Sequence, residues 1–119
     1  MSIKVLQEAK DALEGLNTDN LLKIYAEKFF FEDTPAKLLI SDRNLLREYF
    51  QQLFSLPEVS FSDIKVYEAA NFAVIEWTWG GVSRTSGESF NVRGVSVIEL
   101  EWGKVRRESI YYDPRPALS

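Results

Sequence analysis

The side chains that could perform chemistry in this chain are mainly carboxylates, because the sequence contains no histidine and no cysteine. The commonest general base, the commonest metal ligand and the thiol nucleophile are therefore absent. Acid–base chemistry falls to Asp, Glu, Tyr or Lys. We expect neither a metal ion nor a cofactor.

Asp33 is the first candidate, because it ends the aromatic run Phe29-Phe30-Phe31-Glu32-Asp33, which is typical of a short strand. Thr34-Pro35 ends that strand, since the residue before proline is disfavoured in regular structure. A carboxylate at this position can face a pocket or can cap the following loop. The pattern leaves both interpretations open.

Length and charge limit the class of protein. A chain of 119 residues predicts a single domain, residues 1–119. The net charge of −4 argues against nucleic-acid binding, and the one dense basic group, Lys104, Arg106 and Arg107, is interpreted as a solvated turn. No apolar run approaches the ~18 residues that span a bilayer, and Met1-Ser2-Ile3-Lys4 leads directly into an amphipathic pattern. We therefore expect a cytoplasmic protein with neither nucleic acid nor membrane as a partner.

Three helices are predicted in the first half of the chain. Residues 3–16 carry one apolar stripe, formed by Val5, Ala9, Ala12, Leu13 and Leu16. A second helix, capped by Thr18 or Asp19, buries Leu21, Leu22, Ile24 and Tyr25 and packs on the first as a hairpin. A third helix over residues 42–54, capped by Ser41 or Asp42, has a stripe of Leu45, Leu46, Tyr49, Phe50, Leu53 and Phe54. Its Arg43, Glu48, Gln51 and Gln52 are predicted to face away from that stripe.

The second half predicts long strands. Residues 59–68 and 72–79 alternate, the latter with Ala73, Ile75, Trp77 and Trp79 on one side. Residues 92–113 form two strands that turn at Glu101–Lys104. In the first strand one face carries Gly94, Ser96, Ile98 and Leu100, and the other carries Val95, Val97, Glu99 and Glu101. In the second strand one face carries Glu108, Ile110 and Tyr112. The second strand's opposite face carries Val105, Arg107, Ser109, Tyr111 and Asp113.

Both faces of this hairpin carry apolar groups, so we expect helices to cover one face and a second subunit to cover the other, with Tyr111 at that interface. The tail, Pro114–Ser119, is predicted to be extended or loose. Helices followed by strands indicate an α+β fold, with helices packed on one face of a curved antiparallel sheet.

In this order and spacing, the motifs resemble the nuclear-transport-factor-2-like superfamily, and within it the SnoaL-like (polyketide-cyclase-like) and ketosteroid-isomerase-like group. The motifs are Ile24-Tyr25-Ala26, Phe31-Glu32-Asp33-Thr34-Pro35, Leu45-Leu46-Arg47-Glu48-Tyr49-Phe50, Arg93-Gly94-Val95-Ser96-Val97 and Trp102-Gly103-Lys104-Val105, which runs to Tyr112-Asp113. The resemblance implies three N-terminal helices packed on a strongly curved mixed or antiparallel sheet. It also implies a conical pocket, and commonly a homodimer formed through the outer sheet face.

The resemblance implies that Asp33 occupies the position of the general base in the isomerases. The positions of their two oxyanion donors, a Tyr and a protonated Asp, fall near Ala9 and Ser96, so typical steroid isomerisation is not expected. The Asp–Arg–Asp set that limonene-epoxide-hydrolase-like chemistry needs is not found either.

If Ile110 and Tyr112 face the pocket, as the similar strand does in this group, Glu108 faces it too. Asp33 and Glu108 would then be two carboxylates in one apolar cavity, where burial raises a carboxyl pKa and allows one to act as a base. Ser96 or Tyr112 could donate to an oxyanion. The substrate-binding wall would comprise Phe31, Tyr49, Trp77, Trp79, Ser96, Ile110 and Tyr112. Two other interpretations stay open: Glu108 could pair with Arg93 or another strand arginine in a structural ion pair, and both tryptophans could be core residues.

Two functions remain open. The first is a protein that binds a small hydrophobic molecule, with isomerase- or cyclase-type proton transfer by its carboxylates. It predicts a cavity of roughly a few hundred Å³, the usual size of a small-molecule pocket, and a carboxyl group with a raised pKa. The alternative is a non-catalytic homodimeric association module whose own aromatics fill the cone. It predicts no open pocket and no perturbed carboxylate without a salt-bridge partner.

Overall fold

The computed structural model describes residues 2–118, with side chains from Lys4 to Leu118. The helices are α1 (Ser2–Glu14), α2 (Thr18–Leu22), α3 (Arg43–Phe54) and α4 (Arg115–Leu118). The strands are β1 (Tyr25–Asp33), β2 (Leu38–Ile40), β3 (Ser60–Ala69), β4 (Phe72–Val82), β5 (Ser89–Glu101) and β6 (Lys104–Tyr112). None of the helices described is long and apolar enough to cross a membrane.

The six strands form one sheet in the order β2-β1-β6-β5-β4-β3. Strands β3 to β6 form an antiparallel meander, whereas β1 pairs with β6 in parallel. The sheet is therefore mixed, and the helices pack against its curved inner face, which confirms the predicted α+β cone. The parallel pair places the C-terminal half of β1, where Asp33 lies, beside the C-terminal half of β6.

The second helix is shorter than predicted. Helix α2 ends at Leu22, its N-cap is Asn17 rather than Thr18 or Asp19, and Tyr25 already belongs to β1, opposite Val105 of β6. The apolar residues from Leu21 to Tyr25 are buried here, and they would be buried in the longer helix too. Hydrophobic periodicity therefore could not distinguish a helix from a turn followed by a strand. Short strand β2, which pairs with the end of β1, was not predicted.

Helix α3 lies where it was predicted and runs from Arg43 to Phe54, with Asp42 as the N-cap, whose carboxylate accepts the Leu45 backbone N–H at 3.0 Å. Two details of its predicted faces are wrong. Leu45 is 54% exposed. Arg43 turns inward, and its guanidinium donates to the carbonyl oxygens of Leu22 at 2.7 Å and Ala26 at 2.9 Å. These carbonyls lie where the chain leaves α2 and starts β1. The arginine therefore supplies hydrogen-bond donors to backbone carbonyls at the junction of the two elements.

The β5–β6 hairpin turns at Trp102 and Gly103, as predicted, with φ values of 54° and 73°. Two consecutive left-handed residues give the tight turn whose twist matches paired strands. The strand register then shifts by one, because Glu99 pairs with Arg107 but Leu100 pairs with Val105. This bulge corrects the prediction for Val105: the side chain is fully buried on the inner face instead of opposing Glu108.

The remaining predictions concern the surface. The basic group is tied to its surroundings: Arg106 pairs with Glu99, and Lys104 donates to the Lys23 carbonyl oxygen at 2.9 Å. The tail is not extended, because Arg115–Leu118 forms a helical turn. Met1 and Ser119 lie outside the described residues.

Candidate functional site

A cavity lies between the helices and the inner face of the sheet. Its volume is about 60 Å³, and the wider hollow, which includes space open to solvent, is about 620 Å³. One water molecule needs about 10–15 Å³ of such cavity volume, so the cavity itself holds roughly four to six water-sized groups. This volume is smaller than the few hundred Å³ predicted, and aromatic side chains occupy much of the cone.

The lining is largely apolar and aromatic. It consists of Ala9, Leu13, Leu21, Ile24, Tyr25, Phe31, Tyr49, Phe50, Leu53, Phe61, Ile75, Trp77, Trp79, Ser96, Ile98, Glu108, Ile110 and Tyr112. The aromatic rings contact one another: Phe31 lies 5.0 Å from Tyr49 between centroids, and Trp77 lies 5.7 Å from Phe61 and 6.2 Å from Tyr112. Such mutual contacts fix ring orientations and give the cavity a rigid wall.

Trp77 occupies its position because a glycine lies beside it. Trp77 on β4 is opposite Gly94 on β5, and a Cβ built on Gly94 would lie 2.2 Å from the indole. The absence of a side chain lets the indole lie across the neighbouring strand. Its Nε1 then reaches Ser96 on β5 and donates to the hydroxyl oxygen at 3.0 Å.

Glu108 is the carboxylate in the cavity wall. It is 8% exposed and accepts hydrogen bonds from the hydroxyls of Tyr25 and Ser96. Burial raises the pKa of Glu108, and the two hydrogen bonds offset part of that rise. Burial and the adjacent Glu108 charge raise the pKa of Tyr25 well above its usual value.

The predicted alternative for Glu108, an ion pair with Arg93, is wrong. Arg93 lies on the outer face of the sheet, with Nη1 3.2 Å from Asp63 and Nη2 3.7 Å from Glu76. Among the described residues, no lysine or arginine nitrogen lies within 4.0 Å of the Glu108 carboxylate. Within the described part of the chain, its hydrogen-bond partners are the neutral hydroxyl groups of Tyr25 and Ser96.

Asp33 lies one layer behind the wall. It is 4% exposed, and it accepts the Tyr49 hydroxyl at 2.7 Å and the Tyr112 hydroxyl at 2.9 Å. A longer contact of 3.4 Å from the Ala36 N–H shows that it also takes part in the loop. Burial and the Asp33 charge raise the pKa values of Tyr49 and Tyr112, which keeps both phenols protonated.

The structure brings most of the predicted site residues together. Phe31, Tyr49, Trp77, Trp79, Ser96, Glu108, Ile110 and Tyr112 line the cavity, whereas Asp33 touches it only through its two tyrosines. Sequence reasoning missed Tyr25, because it placed that residue on a helix. It also missed Phe50 and Phe61, which the patterns predicted only as apolar positions. No group of three or more carboxylates that could hold a metal ion occurs in the described part of the chain.

Similar folds occur in several solved structures, each at an identity that shows the fold alone. A nuclear-transport-factor-2-like protein from Burkholderia thailandensis is 15% identical with a TM-score of 0.85, covering 97% of this chain and 92% of that one. A candidate polyketide cyclase from Xanthomonas campestris is 17% identical with a TM-score of 0.83, covering 96% and 91%. A protein of ketosteroid-isomerase-like fold from Catenulispora acidiphila, in complex with trimethylamine, is 17% identical with a TM-score of 0.82, covering 95% and 88%.

No curated protein sequence matches the chain. A family model does match, over residues 6–108, and it describes the SnoaL-like domain. The match spans both walls of the cavity, from Ala9 on α1 to Glu108 on β6. This chain therefore belongs to the SnoaL-like domain family, as its sequence motifs predicted.

Proposed function

We propose that this protein binds a small, largely apolar molecule in the cavity and that Glu108 exchanges a proton with it. The observation that carries the proposal is Glu108 itself, a buried carboxyl group in an apolar wall with a raised pKa and hydroxyl partners only. A structural carboxylate in a core is normally paired with a cation. A carboxyl group whose pKa is raised toward neutral pH by burial is suited to act as a general base or acid.

The polar neighbours assign roles to the other groups. Tyr25 and Ser96 stabilise the ionised form of Glu108 and fix its orientation. Asp33 does not line the cavity, so it acts as a positioning residue that holds the Tyr49 and Tyr112 hydroxyls. In this arrangement Ser96 and Tyr112 direct their protons to carboxylates, so neither supplies the oxyanion donor that the sequence suggested.

The relatives support a small-molecule site. The Xanthomonas protein is a candidate polyketide cyclase, and the Catenulispora protein holds a small organic molecule, trimethylamine. Proton transfer next to a carbonyl group is the isomerase- or cyclase-type reaction that one buried carboxylate could support.

A homodimer is a second part of the proposal. The outer face of the sheet carries an apolar strip where Val74 on β4 lies opposite Val97 on β5, and Val95 lies opposite Tyr111 on β6. Tyr111 is 47% exposed. We expect a dimer mass in light scattering at micromolar concentration and a monomer for Val95→Glu; a wild-type monomer would contradict the dimer.

The non-catalytic association module stays as the alternative, and the dimer interface alone would suffice for it. It is weaker, because a filled cone would leave no cavity and would need no unpaired carboxylate in the wall. The small enclosed volume is the observation in its favour.

The binding test is a thermal-shift screen with small neutral compounds, such as cyclohexanone and cyclohexanol. A ligand that binds only the folded state adds about 2.7 kcal/mol of stability at a hundredfold excess over Kd. We expect a subset to raise the melting temperature of the wild type. If none of them does, and no other small apolar compound does, the binding proposal fails.

The proton-exchange test is the rate at which a bound ketone incorporates deuterium at its α-carbon, followed by NMR in D₂O. We expect Glu108→Gln to abolish the protein-dependent rate. Glu68→Gln makes the same chemical change on an exposed part of β3 and should keep it. Equal rates in wild type and Glu108→Gln would remove Glu108 from the chemistry while leaving the binding proposal intact.

A further inference from the structure

The hydroxyl groups around the cavity are arranged so that they can accept hydrogen bonds from a ligand but not donate them. Each hydroxyl has a single proton. Tyr49 and Tyr112 direct theirs to Asp33, and Tyr25 and Ser96 direct theirs to Glu108. What remains toward the cavity is oxygen lone pairs and the carboxylate of Glu108.

The indole groups add little donor capacity. The Trp77 Nε1 proton is already directed to Ser96. The Trp79 Nε1 is buried and has no hydrogen-bond partner among the described residues. A ligand with one carbonyl oxygen would have the Trp79 N–H as its side-chain donor, whereas an anionic group with several oxygens would meet a set of repelling acceptors.

The charge in the cavity wall itself is negative, although Arg43 lies close enough to Tyr25 to offset part of the rise in the pKa of its phenol. Glu108 is in the wall and Asp33 is directly behind it, yet the lining contains no lysine or arginine within the described part of the chain. Arg43 donates to backbone carbonyls instead, and Arg107 lies with Glu32 on the outer face. In a site of low dielectric, this arrangement favours a positive charge on the ligand.

The remaining wall is half aliphatic and half aromatic. Tyr25, Phe31, Tyr49, Phe50, Phe61, Trp77, Trp79 and Tyr112 all line the cavity. The face of an aromatic ring attracts a cation, and the attraction is strongest where water is excluded. Methylated ammonium groups suit such a wall, because their outer surface is apolar while their charge is spread over the methyl groups.

We infer that the ligand of this cavity is a small organic cation of the methylated-ammonium class, held over the aromatic rings with Glu108 as its counter-charge. The inference rests on the proposed binding function and names the chemistry of the ligand. A protonated tertiary amine of this class would also give Glu108 a proton to accept, with the amine left neutral.

The test compares choline with 3,3-dimethyl-1-butanol, in which a neutral tert-butyl group replaces the trimethylammonium group at nearly constant shape. Trp77 and Trp79 in the wall report binding by fluorescence. Trp102→Phe removes the remaining tryptophan of the chain, which is 94% exposed at the hairpin turn. In that background we expect choline to bind about tenfold more tightly than the neutral alcohol.

The carboxylate is tested by repeating both titrations in Glu108→Gln and in the surface control Glu68→Gln. We expect Glu108→Gln to bring the two affinities close together by weakening choline, and Glu68→Gln to keep the tenfold ratio. Retained binding of the neutral alcohol would show that Glu108→Gln is folded. The comparison of choline with the neutral alcohol in the protein that keeps Glu108 depends on neither of these two variants.

Three results would overturn the inference. If the alcohol binds as tightly as choline or more tightly, the cavity is a neutral apolar site and the proposed binding function survives without the cation. If neither compound binds while the neutral screen gives a ligand, the cation is again excluded. If no compound of either kind binds, the binding proposal itself fails together with the inference.

Discussion

Glu32 and Asp33 are neighbours on β1, yet their environments differ because successive side chains of a strand point to opposite faces. Glu32 faces outward, accepts the Ser109 hydroxyl at 3.0 Å and lies 3.7 Å from Arg107. Asp33 faces inward and has two phenol hydroxyls as partners. Arg107 and Glu108 on β6 repeat the contrast, since the first belongs to the surface pair and the second to the cavity wall.

The carboxylates on the two faces of the sheet therefore have different kinds of partner. Outer carboxylates have cationic partners in water: Glu32 with Arg107, Glu76 with Arg93, and Glu99 with Arg106. Inner carboxylates have only neutral donors, although burying an unpaired charge costs far more than exposing one. Because real proteins break such rules mainly at functional sites, this difference supports the proposal that the inner face carries the function.

The largest effect should follow from removing the neutral donors of Asp33. We expect the double variant Tyr49→Phe/Tyr112→Phe to lose about 3 kcal/mol of unfolding free energy, because a buried carboxylate is left without its hydroxyl partners. Urea denaturation measures this loss. On the outer face, Tyr67→Phe removes an exposed hydroxyl bond to Glu76 and should cost less than about 0.5 kcal/mol. Equal losses would show that the faces do not differ.

A smaller effect should follow from adding one carbon to the inner face. We expect Gly94→Ala to destabilise the protein by about 2 kcal/mol, since the new Cβ would force the Trp77 indole to move. The near-ultraviolet circular dichroism of the tryptophans should change as well. The next residue, Val95, faces outward, and Val95→Ile should lie within about 0.5 kcal/mol of wild type. An unchanged melting temperature for Gly94→Ala would mean that the indole is not confined.

The pH dependence of the unfolding free energy tests the difference between the two faces through Glu108. Its pKa is raised in the folded protein, so the native state keeps the proton to higher pH than the unfolded chain. Relative to Glu108→Gln, the unfolding free energy of wild type should fall as pH rises from 4.5, the usual pKa, to the folded value, and stay level above it. The slope for one proton is at most about 1.4 kcal/mol per pH unit. A difference that rises with pH would contradict the raised pKa.

The smallest effect should come from the outer ion pairs. We expect Glu32→Gln to change the unfolding free energy by about 0.5 kcal/mol, because both partners of the Glu32–Arg107 pair are partly exposed. This change should shrink further in 0.5 M salt, which screens surface charges (the Debye length is only about 3 Å at 1 M). A loss above about 2 kcal/mol would show that the outer charges matter to folding as much as the inner ones.

Local patterns in the sequence were sufficient for much of the fold. The alternation of Ala73, Ile75 and Trp77 predicted the inner face of β4, and the Asp42 cap predicted the start of α3. These predictions succeeded because strand alternation and helix capping depend on residues within a few positions of one another. The bulge at Arg106 defeated the same logic at Val105, since a register shift depends on the partner strand.

The sequence by itself limited any acid–base chemistry to Asp, Glu, Tyr or Lys, because no histidine or cysteine is present, and its motifs identified the SnoaL-like family. Only the tertiary structure decided the partners of those carboxylates. Tyr25 meets Glu108 across 83 positions of sequence, and Tyr112 meets Asp33 across 79. The parallel pairing of β1 with β6 brings them together, and such long-range pairing leaves no local pattern in the chain.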